Sequence, residues 1–257
     1  MPNTNYIEPV VNKYKRSTGI DQYTKTTIFD PLEVHIRRWA LQNGLNLVEV
    51  KLSGSRAKGT AISLAADLDM FISLSSTNTA TLEGIYNSLY SYFNSPTSPC
   101  RRQNASIGVT YGGMKVDLVP GKRQSQYGGD HSLYKRKQNT WTKTNIDEHI
   151  RIVQGSNRII EITAAKVWRE RHGLDFPSIF LELVTIEAMK YKETTDHDAN
   201  FLSLLEYLRD NIQTVRVVDP ANTNNIISND LTATEKKAIA DKARESRSQQ
   251  SWQSILW

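Results

Sequence analysis

Ser53-Gly54-Ser55-Arg56-Ala57-Lys58-Gly59-Thr60 and, a few residues further on, Asp67-Leu68-Asp69-Met70-Phe71-Ile72 make up the stretch on which the fold of this chain turns. Ahead of it Val48, Val50 and Leu52 alternate, which predicts a strand running straight into Ser53. Leu68, Met70, Ile72 and Leu74 alternate in the same way and predict a second strand. Side chains on a strand alternate between its two faces. Asp67 and Asp69 therefore share one face while Leu68, Met70 and Ile72 turn to the core. Two carboxylates held side by side repel each other unless positive charge sits between them. Hard divalent cations, bound through carboxylate oxygens and a substrate's phosphates, supply that charge.

The loop between the strands has matching chemistry. A glycine lets backbone approach a phosphate closely, and the N–H groups around Gly54 with the Ser55 hydroxyl can cradle a triphosphate tail. Farther along, Ile107, Val109 and Tyr111, a Gly112-Gly113 turn, then Val116 and Leu118 read as a β-hairpin. Asp117 points opposite to Val116 and Leu118 and completes a candidate cluster of three acids. Such a cluster can hold two metal ions about 4 Å apart, one serving an attacking hydroxyl and the other a leaving pyrophosphate. An isolated Asp-x-Asp is as readily a pair of solvated acids. The order strand, Gly-Ser, Gly-Thr, then Asp-x-Asp on the next strand argues for the site.

Outward from this centre, Asp30 reads as the N-cap of a helix with Pro31 at its first position, Glu33 three residues on and Gly44 at its stop. Residues 1–28 are polar with little periodicity and read as an arm with room for a helical turn. Leu82, Ile85, Tyr86, Leu89 and Phe93 recur at helical spacing after the second strand. The order of helix, two strands, helix and hairpin predicts an α+β fold, a mixed sheet with helices on one side. From about residue 140 the pattern turns helical. Asn145 with Glu148 resembles a capping box, and Ile160, Ala164, Val167 and Trp168 form a stripe ending near Gly173. A helix follows Pro177, and a third carries Phe201, Leu204, Leu205, Leu208 and Ile212. Residues 219–230 read as loop, and Thr232 with Glu235 opens a polar final helix. Two domains are expected, 1–130 catalytic and 131–257 helical, with the active site in the cleft.

Composition bounds the partners. The 257 residues carry 32 Lys and Arg against 27 Asp and Glu, a net charge of +5. That balance favours polyanions, either nucleotides or nucleic acid. The single cysteine, Cys100, excludes an internal disulfide and a Cys-based zinc site. The N-terminus has no secretory pattern and no apolar run spans a bilayer, so a cytoplasmic protein without a membrane partner is expected. Trp141 reads either as a stacking platform for a base or as a buried anchor.

GSRAKGT followed by DLDMFI, with KVDLVP on a later strand, resembles the DNA polymerase beta-type nucleotidyltransferase superfamily. The resemblance implies that Asp67, Asp69 and Asp117 are the catalytic acids and bind two Mg²⁺ ions, for which Mn²⁺ can substitute. It assigns the triphosphate to Gly54 and Ser55. Residues 139–182 are similar to the branch holding oligoadenylate synthetases, cyclic GMP-AMP synthase and bacterial CD-NTases, and to archaeal CCA-adding enzymes. There a Lys before a Trp, and a Ser opening the next helix, reach the incoming triphosphate; the matching positions are Lys166 and Ser178. The resemblance implies a nucleotidyltransferase using NTPs, with a cyclic di- or oligonucleotide signal of antiphage defence as the leading product. Addition to RNA 3′ ends, or an idle fold that binds RNA or a protein, are the alternatives, so RNA is expected as acceptor or activator.

Overall fold

In the computed structural model, which describes residues 5–65 and 67–256, the alternating apolar residues of the second strand become the centre of a mixed sheet. The chain divides into two compact units. One comprises residues 17–58 and 66–150 and contains the sheet. The other comprises residues 1–16, 59–65 and 151–257 and is mostly helical.

Helix α1 (Ile7–Tyr14) belongs to the helical unit. The sheet unit opens with a short turn α2 (Gln22–Thr24), a π-turn (Lys25–Phe29) and α3 (Asp30–Gln42) in direct succession. Here the expected cap at Asp30 is corrected. Helical backbone begins at Gln22, Asp21 accepts from Thr24 N at 2.8 Å, and Asp30 instead pairs with Lys25 at 2.8 Å. Pro31 has no N–H to offer the Thr27 carbonyl, and the widened π-turn falls where its ring would clash. The expected arm is likewise helical over Ile7–Tyr14.

The strands follow as β1 (Leu47–Ser53), β2 (Leu68–Leu74), β3 (Arg101–Arg102), β4 (Ile107–Tyr111), β5 (Met114–Arg123), β6 (His131–Lys135) and β7 (Thr140–Thr144). They order as β1-β2-β5-β4-β3, with β6 also on β5 and β7 on β6. Only β2 and β5 pair in parallel; the other neighbours are antiparallel. Helix α4 (Gly54–Lys58) continues directly from β1, and α5 (Leu82–Phe93) follows β2. Leu68, Met70 and Ile72 of β2, with Val116 and Leu118 of β5, are buried against Leu32, Ile36 and Trp39 of α3 and Ile85, Tyr86 and Leu89 of α5. Trp39 Nε1 donates to Ser88 Oγ at 3.2 Å and joins the two helices. The seam expected at 130/131 is corrected too. Strands β6 and β7 extend the sheet, because Lys122 and Arg123 of β5 still have an edge to pair with Ser132 and His131.

The helical unit consists of α1 with α6 (Ile146–Gly155, from Arg151 on), α7 (Ile159–Arg171), α8 (Ser178–Ala188), α9 (His197–Asn211) and α10 (Ala233–Ser248). Its core gathers Trp168, Phe180, Phe201, Leu204 and Leu208 with Ile7 and Val11 of α1. Within 219–230, read as loop, the structure forms a hairpin of β8 (Val218–Asp219) and β9 (Asn222–Ile226) and a 3₁₀ turn (Ile227–Asp230). The Thr232/Glu235 capping box starts α10 as expected. Among the described residues no helix is long and apolar enough to cross a membrane.

The N-terminal segment is held by distant partners. Asp198 accepts from Tyr6 N at 3.0 Å and Ile7 N at 2.9 Å, placing a carboxylate on the N-terminus of α1, where the helix dipole favours it. Arg16 N donates to Ala61 O and Ser63 N to Tyr14 O, tying residues 59–65 to the same unit. Replacing Asp198 with alanine strips these buried donors of their acceptor. It is expected to cost about 1–3 kcal/mol in urea unfolding, with Asp198→Asn recovering part of the loss.

Candidate functional site

Asp69 is the fixed point of the site. It lies on β2 opposite Ser53 of β1 and opposite Asp117 of β5, so the parallel register sets the two acids side by side. Because Leu68, Met70, Val116 and Leu118 are buried on the other face, both carboxylates are committed to this one. Asp67, just ahead of the strand, is exposed, while Asp69 and Asp117 are partly buried.

Gly54 closes on this pair from the end of β1. Its φ is +61°, and a Cβ added there would lie 1.8 Å from Asp69 Oδ2. Only a glycine brings the backbone of the Gly54-Ser55 turn against that carboxylate. Ser55 opens the first turn of α4 beside it. A glycine also faces Asp117, since Gly108 of β4 is its antiparallel partner, and a Cβ there would come 3.2 Å from Asp117 Oδ1.

The electrostatics point the same way. Burial pushes the Asp117 carboxyl above its ordinary range, and the nearby Asp67 charge pushes it further. Arg101 and a hydrogen bond from Gln103 oppose them. Gln103 Nε2 donates to Asp117 Oδ1 at 2.7 Å, while Gln103 Oε1 accepts from Ser106 Oγ at 3.1 Å. Tyr86 Oη donates to the Gln103 carbonyl at 2.7 Å, which fixes the whole residue. Gln103 was not found by sequence reasoning. A polar residue in the turn before β4 gives no signal until the sheet folds it over Asp117.

Among the described residues no three metal-ligating side chains are already drawn close enough to hold an ion, and one Asp117 oxygen is occupied by Gln103. The donor set nonetheless fits a hard cation. It is all carboxylate, two members are register neighbours, and the third repels one of them through space.

Lys166 and Ser178 lie in the helical unit, each with partners of its own. Lys166 is 2% exposed; its Nζ reaches Glu182 Oε1 at 2.7 Å and Thr60 Oγ1 at 2.8 Å. Ser178 Oγ accepts from Arg169 Nη1 at 3.1 Å. The Gly59-Thr60 pair thus ends in a buried ion pair and not in open loop.

No family model and no curated protein is matched by the chain. Solved structures share its fold. CdnC of E. coli MS115-1 with ATP superposes with a TM-score of 0.73 at 17% identity, covering 94% of this chain and 89% of that one. The CD-NTase CdnG of Bradyrhizobium diazoefficiens, in complex with GTP, gives 0.70 at 14% identity over 100% of this chain and 96% of that one. The Cid1 poly(U) polymerase bound to MgATP gives 0.63 at 10% identity, over 96% and 94%. The fold is therefore the mixed-sheet nucleotidyltransferase fold that the sequence motifs resemble.

Because the folded Asp117 carboxyl titrates above its unfolded range, the folded state is penalised as pH rises through that folded value. Asp117→Asn is expected to match the wild type in acid and to exceed it in unfolding free energy at alkaline pH. Added Mn²⁺ should stabilise the wild type and leave the variant unmoved. A stability gap that does not widen with pH would show that Asp117 carries no such penalty.

Proposed function

We propose that this chain is a Mg²⁺-dependent nucleotidyltransferase that joins NTPs with release of pyrophosphate. The observation that carries the reading is Gly54 at positive φ, packed against the carboxylate of Asp69, with Asp117 beside it in the parallel register. Phosphate-cradling backbone and a pair of register-locked acids then lie within one turn of each other, as in-line displacement requires. Divalent cations, when bound, supply the charge that balances the triphosphate and lower the pKa of the attacking hydroxyl.

The residues divide the remaining work. The backbone N–H groups around Gly54 and the Ser55 Oγ hold the triphosphate, Asp67 and Asp69 provide the shared carboxylate face, and Asp117 orients the acceptor hydroxyl and takes its proton. Burial and Asp67 raise the proton affinity of Asp117, which suits a group receiving a proton near neutral pH. The triphosphate roles of Lys166 and Ser178 belong to the same proposal. The product we favour is a cyclic di- or oligonucleotide signal, supported by the likeness in fold to CdnC and CdnG. Addition to RNA 3′ ends is the second reading, favoured by the likeness to Cid1 and a sequence pI near 9.2.

Incubation with labelled NTPs and Mg²⁺ or Mn²⁺, with and without an RNA oligonucleotide, followed by phosphatase, separates these readings. A phosphatase-resistant small product formed without RNA is expected. Label found only on RNA would replace the cyclic product with end addition. Asp69→Asn should lower turnover at least about 10²-fold with the fold intact, and wild-type activity in that variant would remove the metal assignment. For Lys166→Met, a raised KM for NTP at unchanged thermal stability supports a nucleotide contact. A lowered melting temperature at unchanged KM assigns Lys166 to packing against Glu182.

A further inference from the structure

The proposed chemistry makes no use of the β6–β7 hairpin, which carries an aromatic and cationic surface. Trp141 is 57% exposed and stands directly opposite Tyr134 in the antiparallel register, so the two rings share a face. Tyr134 is anchored there. Its ring meets Tyr86 edge-on at 5.6 Å and its hydroxyl donates to Asn139 Oδ1 at 2.8 Å. Trp141 has no ring or hydrogen-bond partner among the described side chains. An indole left in water is unfavourable, and the alternative of a buried anchor is excluded by its exposure.

Two cations, Arg102 on β3 and Arg136 after β6, have charges that reach the Tyr134 hydroxyl opposite Trp141, and Lys137 follows Arg136 in the turn; Arg101 and Lys135 alternate to the other face of the sheet. The two groups are joined through the turn after β3. Arg136 N donates to Asn104 O at 2.8 Å, Arg136 Nε to Gln103 O at 3.3 Å, and Lys137 N to Asn104 Oδ1 at 3.0 Å. The Arg102 guanidinium lies 3.8 Å over the Tyr90 ring. Arg102, Arg136 and Lys137 form no ion pair among the described residues. Glu83 faces Tyr134, and the nearby Asp130 is held by Lys143 and Asn145.

We infer that this surface binds single-stranded nucleic acid, with phosphates on Arg102, Arg136 and Lys137 and an unstacked base on Trp141. Clustered like charges without counter-charges disfavour the folded chain until a polyanion neutralises them. A flat exposed ring among them takes the face of any base, but only a base released from a duplex. The inference goes beyond the proposed transfer reaction and does not depend on it.

Fluorescence anisotropy of a labelled oligouridylate of about twelve nucleotides, with the full chain in EDTA and without NTP, tests the inference. Binding is expected, falling on the order of tenfold between about 50 and 200 mM salt if about three phosphates are neutralised. Trp141→Ala should weaken it about tenfold with unchanged melting temperature, Trp141→Phe should retain most of it, and Lys137→Glu should weaken it and flatten the salt dependence. Equal or tighter binding of a duplex of the same length, no binding at the lower salt, or an undiminished Trp141→Ala would each overturn the inference. Because neither metal nor NTP is present, failure here leaves the transferase reading standing. An inactive chain that still binds leaves this surface standing.

Discussion

The parallel pairing of β2 with β5 is the constraint on which the rest of the sheet unit depends. Its register matches Leu68 to Val116, Asp69 to Asp117 and Met70 to Leu118. Slipping either strand by one residue would carry buried leucine and methionine to the open face and drive a carboxylate into the core between α3 and α5. Hydrophobic burial thus sets the positions of the acids. Burial of the Asp117 carboxyl, with the charge of Asp67 nearby, is the cost of that arrangement and holds it above its ordinary range.

Around this register the small residues explain themselves. Gly54 allows the end of β1 to meet Asp69, and Gly108 leaves room beside Asp117 for Gln103 and Arg101. A Cβ at position 54 would overlap the Asp69 carboxylate, and one at position 108 would crowd Arg101, Gln103 and Asp117. Gln103 adds a neutral donor to Asp117, beside the Arg101 charge that also opposes its shift. Its carbonyl is in turn held by Tyr86, so the packing of α5 on the sheet reaches the site through a single side chain.

Much of this was legible in the residue pattern because the signals are local. Alternation over 68–74 and 107–118, the helix at 82–93 and the capping box at Thr232 each depend on neighbours a few positions away. What escaped reading depends on distant partners. Helix α1 is short and polar at its edges, and its N-terminus is capped by Asp198. Strands β6 and β7 carry Lys, Ser and Thr with few apolar residues, and β6 gains its partner from the free end of β5. The start of the helical run before α3 moved to Asp21, since a proline that looks like a helix start also fits after a π-turn.

By itself the sequence determined the α+β class and the Gly-Ser turn after β1. Those follow from strand alternation and glycine stereochemistry, which need no tertiary partner. The tertiary structure alone decided that Asp69 and Asp117 are register neighbours, that Gln103 holds one of them, and that Lys166 is buried against Glu182. It also decided that Trp141 faces water. Each of these is a contact between residues far apart in the chain. Pairing of strands and packing of helices, set by the burial of apolar surface over the whole unit, creates such contacts, and no local pattern encodes them.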